Sequence, residues 1–184
     1  SASIMLLAEE GKIRLVNPIS TYLPELKGLK VGIEVVGAAG TPELKLETAR
    51  REMTVQDLLS HASGLTYGQF GDSLVKQAYR EANVFDPSQT NAEFVSKLAK
   101  LPLQNQPGEV WDYSMSTDVL GRLVEVISGT DLDAFIAARI TGPLGMKDTD
   151  FMVAAEKAER IAEPQNDPAT GKRKDDGLSR NQFG

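Results

Sequence analysis

Tyr113 heads the run Tyr113-Ser114-Met115-Ser116-Thr117-Asp118-Val119-Leu120-Gly121, shortly after Gln106-Pro107-Gly108. A phenol can take the proton of an attacking hydroxyl and later return it to a leaving group. A free tyrosine has a pKa of about 10, so this chemistry requires a nearby cation to favour the phenolate. The same residue can instead anchor a helix start, its ring packed and its hydroxyl bonded to backbone. Spacing alone leans to that second use. Ser60, His61 and Ser63 suggest a Ser-His pair, but adjacent helical residues point about 100° apart, so Ser60 is poorly placed for His61. Ser73-Leu74-Val75-Lys76 is a literal Ser-x-x-Lys. About one such match is expected by chance, and Gln77-Ala78-Tyr79-Arg80-Glu81 behind it is a mixed, solvated face rather than a buried apolar helix.

Other chemistry is thin. One histidine and no cysteine leave few zinc ligands, and they rule out disulfide or thiolate chemistry. Asp148-Thr149-Asp150 and Asp175-Asp176 lack the Gly and Glu of a calcium loop. There is no Gly-x-Ser-x-Gly elbow and no phosphate-binding glycine loop. No metal or cofactor is expected.

The elements that must hold these residues are mostly helical. Ser3 to Glu10 is a short apolar helix stopped at Gly11, the tail of a longer buried one. Asn17-Pro18 turns the chain, and Ile19 to Leu23 forms one helical turn before Pro24. Val31 to Val36 and Leu44 to Glu47 alternate around a Gly-rich centre, as two short strands do. Thr54 caps a helix through Ser60, and Gly64, Gly68 and Gly71 mark an irregular loop. Helices follow over Asp72 to Ala82 and Asn91 to Lys100, the second capped by Asn91. The clearest helix, Ser116 to Ile127, has an apolar face of Val119, Leu120, Leu123, Val124 and Ile127 and ends at Gly129. Asp131 to Ile140 turns Leu132, Phe135, Ile136 and Ile140 inward and closes at Gly142-Pro143. Residues 164–184 read as a polar loop or flexible tail. The expectation is a single mainly α domain over 1–184 with a small β-hairpin.

Bulk properties narrow the partners. The 184 residues are 41% apolar and 25% charged, with net charge -6 and pI near 4.9. Phosphate repulsion argues against nucleic acid or an anionic membrane surface, while a neutral or cationic small molecule stays open. No stretch approaches the roughly 18 apolar residues of a membrane helix. Ser1-Ala2-Ser3 reads as an internal start, and the compartment, cytoplasmic or periplasmic, is undecided.

Leu58-Leu59-Ser60-His61-Ala62-Ser63-Gly64-Leu65, the Tyr113 block behind Gln106-Pro107-Gly108, and Gly142-Pro143-Leu144-Gly145-Met146-Lys147-Asp148-Thr149 occur in that order. Together they resemble the serine β-lactamase-related family, in particular class C β-lactamases and family VIII carboxylesterases. The resemblance implies the helical subdomain of a β-lactamase/transpeptidase-like α+β fold, truncated at both ends. In the family a run like Met5-Leu6-Leu7-Ala8-Glu9-Glu10-Gly11-Lys12 follows the Ser-x-x-Lys by one to three turns of the same helix, which implies a serine nucleophile just ahead of Ser1. Ser1 and Ser3 have Ile4 and Leu6 where a lysine is needed, so neither fills that role. It implies Tyr113 as base and then acid, and a Lys/His-Thr/Ser-Gly strand after the Tyr113 block, which is not found in its expected place in these 184 residues. His61 and its neighbours become structural. The β-lactamase branch has an asparagine where this chain has Met115, a position implied to contact substrate. A thioether is only a weak acceptor, so short-chain esters are expected over lactams. Alone, the chain is expected to be inactive. The alternative is a non-catalytic helical module that binds a partner or self-associates through the face the missing α/β part would cover.

Overall fold

The computed structural model describes residues 1–162 and 168–170. The chain divides into two compact units, Ser1–Ile136 and Ala137–Gly184. Of the tail expected as a loop over 164–184, all but a turn at 168–170 lies outside the described residues.

The first unit is organised around a central helix. α1 (Ala2–Glu9) buries Ile4 and Leu7 completely. A two-stranded antiparallel hairpin follows, β1 (Lys30–Val36) and β2 (Pro42–Thr48), in the register Val31↔Glu47 and Ile33↔Lys45. Then come α2 (Val55–Leu59), α3 (Leu74–Glu81), α4 (Asn91–Leu98), α5 (Ser116–Ser128) and α6 (Leu132–Ile136). α5 packs against α1, α2, α4 and α6. Its apolar stripe is the one the 3.6-residue period marks out: Val119 and Leu123 are fully buried, and Leu120 and Val124 nearly so.

The hairpin is tied to the helices by backbone. The Gly32 amide donates to the Leu103 carbonyl (2.9 Å) and the Leu103 amide to that of Lys30 (2.8 Å). α3 also comes close at Gly32, since a Cβ there would stand 2.5 Å from Val75 Cγ2. Small size, not conformational freedom, is what β1 needs at this point.

Two helix starts are capping boxes, in which side chain and backbone satisfy each other's open groups. At α2, Thr54 Oγ1 accepts from the Asp57 amide (3.1 Å), and the Asp57 carboxylate accepts from the Thr54 amide (2.8 Å). Arg51 adds two bonds to Asp57, of 2.5 and 2.9 Å. Burial alone would push the Asp57 carboxyl up, but the bonds from Arg51 and Thr54 outweigh it and hold the group below its ordinary value. A depressed native pKa means the ionised form stabilises the fold. That contribution is complete above about pH 4 and lost as pH falls through the lower native value. Asp57→Asn is therefore expected to destabilise at pH 7 by roughly 1–3 kcal/mol in urea unfolding, and by much less near pH 2.

At α4 the cap is Thr90, not Asn91 as the sequence suggests. Glu93 closes the box from Thr90, and Asn91 Nδ2 turns away to donate to Glu125 on α5 (2.6 Å). The segment expected as one helix from Asp131 to Ile140 changes type. α6 ends at Ile136, and in the second unit Ala137–Thr141 is π-helical, with the Gly142 amide donating to the Ala137 carbonyl (2.9 Å). Phe135 is buried, whereas Ile136 and Ile140 are only half-buried. The second unit continues with a 3₁₀ segment, Ala155–Arg160, whose Lys157 and Arg160 both pair with Asp148. Among the described residues no helix is long and apolar enough to cross a membrane.

Candidate active site

Two segments far apart in sequence are zipped together beneath Tyr113. After α2 the chain reverses at His61, which takes a positive φ of 55°. The following loop then receives backbone bonds from the segment before α5. Asp112 donates to the His61 carbonyl (2.9 Å), Gly108 to Ala62 (2.7 Å), and Gln104 and Asn105 both to Gly64 (2.8 and 3.2 Å). The Leu58 block and the Tyr113 block, separate motifs in the sequence, are thus one structural unit.

Side chains complete the join. Ser63 Oγ lies 2.8 Å from Ser116 Oγ, and Ser116 Oγ 2.8 Å from Ser114 Oγ. His61 Nδ1 lies 3.5 Å from Ser114 Oγ and accepts from the Ser114 amide at 3.4 Å. All three serines are buried. A buried hydroxyl is costly unless bonded, so this relay fixes the start of α5 to the α2 loop.

Tyr113 projects from that join with 54% of its surface exposed. Its ring sits between two others: His61 at 4.9 Å between centroids and Tyr67 at 5.3 Å. The row extends through Phe85, stacked on Tyr67 at 5.3 Å and 13°, and Phe70, edge-on at 6.0 Å. Trp111 stands 6.2 Å from His61 on the other side. Phe70, Phe85 and Trp111 are exposed. The Tyr113 hydroxyl forms no hydrogen bond among the described residues, so it is free to meet an incoming group.

Tyr67 is held differently. Its hydroxyl donates to Asp118 Oδ2 at 3.4 Å. Burial, then the charges of Asp118 and Tyr113, pushes the Tyr67 phenol up to about 12, and burial likewise raises the Asp118 carboxyl. Tyr67 is thus a protonated donor at neutral pH, unsuited to act as base.

The remaining candidates sort as follows. Met115, at the N-cap of α5, is 2% exposed and lines a hollow of about 210 Å³ with Phe85, Gln89, Asn91 and Asp118. Ser60 Oγ donates to the Gln56 carbonyl (2.9 Å), away from His61. Ser73 is the N-cap of α3: its Oγ accepts from the Lys76 amide (3.1 Å) and donates to Gln104 Oε1 (2.6 Å). Ser73→Ala is expected to cost about 1 kcal/mol of stability, read by urea titration, with no effect on any ester turnover. The described residues contain no group of three His, Cys, Asp or Glu that could hold a metal. The link from Tyr67 to Asp118 and the relay from Ser63 to Ser116 and Ser114 have no signal in the sequence, although Ser63 stands out beside His61, and Ser114, Ser116 and Asp118 fall within the Tyr113 block.

The model of the family described as Beta-lactamase matches residues 1–184. The chain belongs to the Beta-lactamase family. Acyltransferase mokF of Monascus pilosus is 34% identical over 145 residues, which are 78% of this chain and 33% of that protein. Esterase EstB of Burkholderia gladioli is 32% identical over 171 residues, 90% of this chain and 38% of that protein. The structure of unliganded simvastatin synthase (LovD) from Aspergillus terreus, as its selenomethionyl derivative, superposes with a TM-score of 0.76 at 28% identity. That match covers 99% of this chain and 44% of the other. This Beta-lactamase family chain therefore spans between a third and just under half of the length of these relatives, and an esterase and an acyltransferase are among them.

Proposed function

We propose that this chain is the largely helical part of a serine hydrolase that cleaves esters through an acyl-serine intermediate, with Tyr113 as its proton carrier. The observation that carries the reading is the exposed, unbonded phenol of Tyr113, fixed in place by the zipped loops and flanked by aromatic rings. A serine hydroxyl attacks the ester carbonyl carbon as its proton passes to the Tyr113 phenolate. The tetrahedral adduct collapses, the carbon–oxygen bond to the leaving alcohol breaks, and the Tyr113 proton goes to that oxygen. Water then repeats the sequence on the acyl-serine and frees the acid. A second alcohol in place of water would give acyl transfer by the same steps.

The nucleophile and the cation that favours the phenolate are assigned to parts of the protein outside these 184 residues. Support comes from how five serines of the two motif blocks and of the literal Ser-x-x-Lys are used. Ser63, Ser114 and Ser116 are buried in their relay, Ser73 caps a helix, and Ser60 bonds backbone. Esters are favoured over lactams because Met115 offers no amide to a lactam and is itself buried.

Hydrolysis of a nitrophenyl ester tests this. The 184-residue polypeptide alone is expected to show no turnover above buffer. Robust turnover abolished by Ser73→Ala would instead make Ser73 the nucleophile and sink the assignment.

A further inference from the structure

We infer that Arg51 is a positioning residue for Tyr113, setting the reach of its hydroxyl through the turn at Gln106-Pro107-Gly108. The inference rests on the hydrolase reading above and adds to it a group that never meets the substrate. Arg51 stands just after β2 and touches both of the segments that are zipped together beneath Tyr113. On one side its Nη1 and Nη2 donate to the Asp57 carboxylate at 2.5 and 2.9 Å, the planar fork that a guanidinium alone offers. On the other side the same Nη2 lies against Gly108, where an added Cβ would run into it. Nη1 also donates to the Glu52 carbonyl (3.1 Å), which fixes the plane of the group. One guanidinium thus joins the start of α2 to the turn that leads to the phenol.

What lies beyond that turn depends on it. Residues 110–114 belong to no helix or strand, so regular structure does not set their path. Two backbone pins do: Gly108 donates to the Ala62 carbonyl (2.7 Å) and Asp112 to that of His61 (2.9 Å). Arg51 backs the first pin from behind, and the Arg50 amide holds the same turn by donating to Gln106 Oε1 (2.9 Å). The helix cap does not need Arg51. Asp57 already accepts from the Thr54 amide and hydroxyl, both at 2.8 Å, and a half-exposed ion pair adds little stability by itself. Placement has more leverage, because a shift of about 1 Å caused far from the chemistry can cost about 10²-fold in rate. The contact that distinguishes Arg51 from an ordinary surface cation is the one with Gly108.

A double-mutant cycle on kcat in the full-length protein separates placement of the phenol from general bracing. Arg51→Lys keeps the charge opposite Asp57, but one ammonium cannot both grip that carboxylate as a fork and fill the space beside Gly108. It is expected to lower kcat for a nitrophenyl ester by about 10–100-fold, at a temperature where melting curves show the protein folded. KM should change by less than about twofold, since the proton moves only as bonds form and break. In the Tyr113→Phe background, where no hydroxyl remains to be placed, the same substitution should cost no more than about twofold. A bracing role would give equal losses in both backgrounds. Should Arg51→Lys not fold, Arg51→Gln takes its place in the cycle. An unchanged kcat, equal losses in the two backgrounds, or a loss confined to KM would each overturn the inference. The hydrolase reading fails separately, by Tyr113→Phe leaving kcat unchanged when Arg51 is intact.

Discussion

Tyr113→Phe in the full-length protein is expected to lower kcat/KM for a nitrophenyl ester by about 10²–10⁴-fold, the range for loss of a general acid–base group. The substitution deletes one oxygen and keeps the ring, so the contacts with His61 and Tyr67 at 4.9 and 5.3 Å persist. Because the hydroxyl makes no hydrogen bond among the described residues, its removal strands no buried partner, and thermal stability should barely change. The loss should fall mainly on kcat, since the proton moves only as bonds form and break. A rise in KM alone would make Tyr113 a binding surface instead. Tyr67→Phe gives the contrast. Tyr67 is held protonated beside Asp118, so its loss should act through the placement of neighbouring groups and fall well short of the Tyr113 effect.

The second large effect is on stability, at Gly64. Its φ is +85°, a conformation costing an L-residue roughly 1–2 kcal/mol, and a methyl there would run into the Asn105 carbonyl oxygen. The obstacle is backbone, which cannot swing aside as a side-chain end can. Gly64→Ala is therefore expected to destabilise by about 2–4 kcal/mol in urea unfolding, adding overpacking to strain. The damage should also reach the site. The Gly64 carbonyl receives the amides of Gln104 and Asn105, and the same zipper sets the path of the chain into Tyr113. Activity in the full-length protein should fall with stability. A variant as stable as the parent would mean the two loops are not rigidly joined.

Much of this was legible in the residues because local rules govern it. The stripe on α5, the Thr54 cap and the two strands each follow from periodicity or from one side chain beside its own backbone. The Ser73 cap agrees with declining that serine as a nucleophile, although the sequence alone offers no view of its bond to Gln104. The misplaced cap at α4 arose because Thr90 and Asn91 are both good caps. Only the reach of Asn91 to Glu125, across two helices, separates them. The π-helical turn after Ile136 has no signal in composition. At the candidate site the Tyr113 block is visible in the sequence, but the rings packed around Tyr113 are not. Tyr67 lies in a glycine-marked loop without periodicity, and its partner Asp118 is fifty-one residues away. The serine relay was hidden for the same reason, since Ser63 and Ser116 meet only once the loops are zipped.

The most direct measurement is to treat the full-length protein with a fluorophosphonate, which phosphonylates an activated serine, and to map the labelled peptide by mass spectrometry. The account expects one labelled serine outside these 184 residues, with a lysine three positions on, and labelling slowed in Tyr113→Phe. A label on Ser73, Ser114 or any other serine of this chain, or labelling unchanged when Tyr113 is replaced, would contradict it.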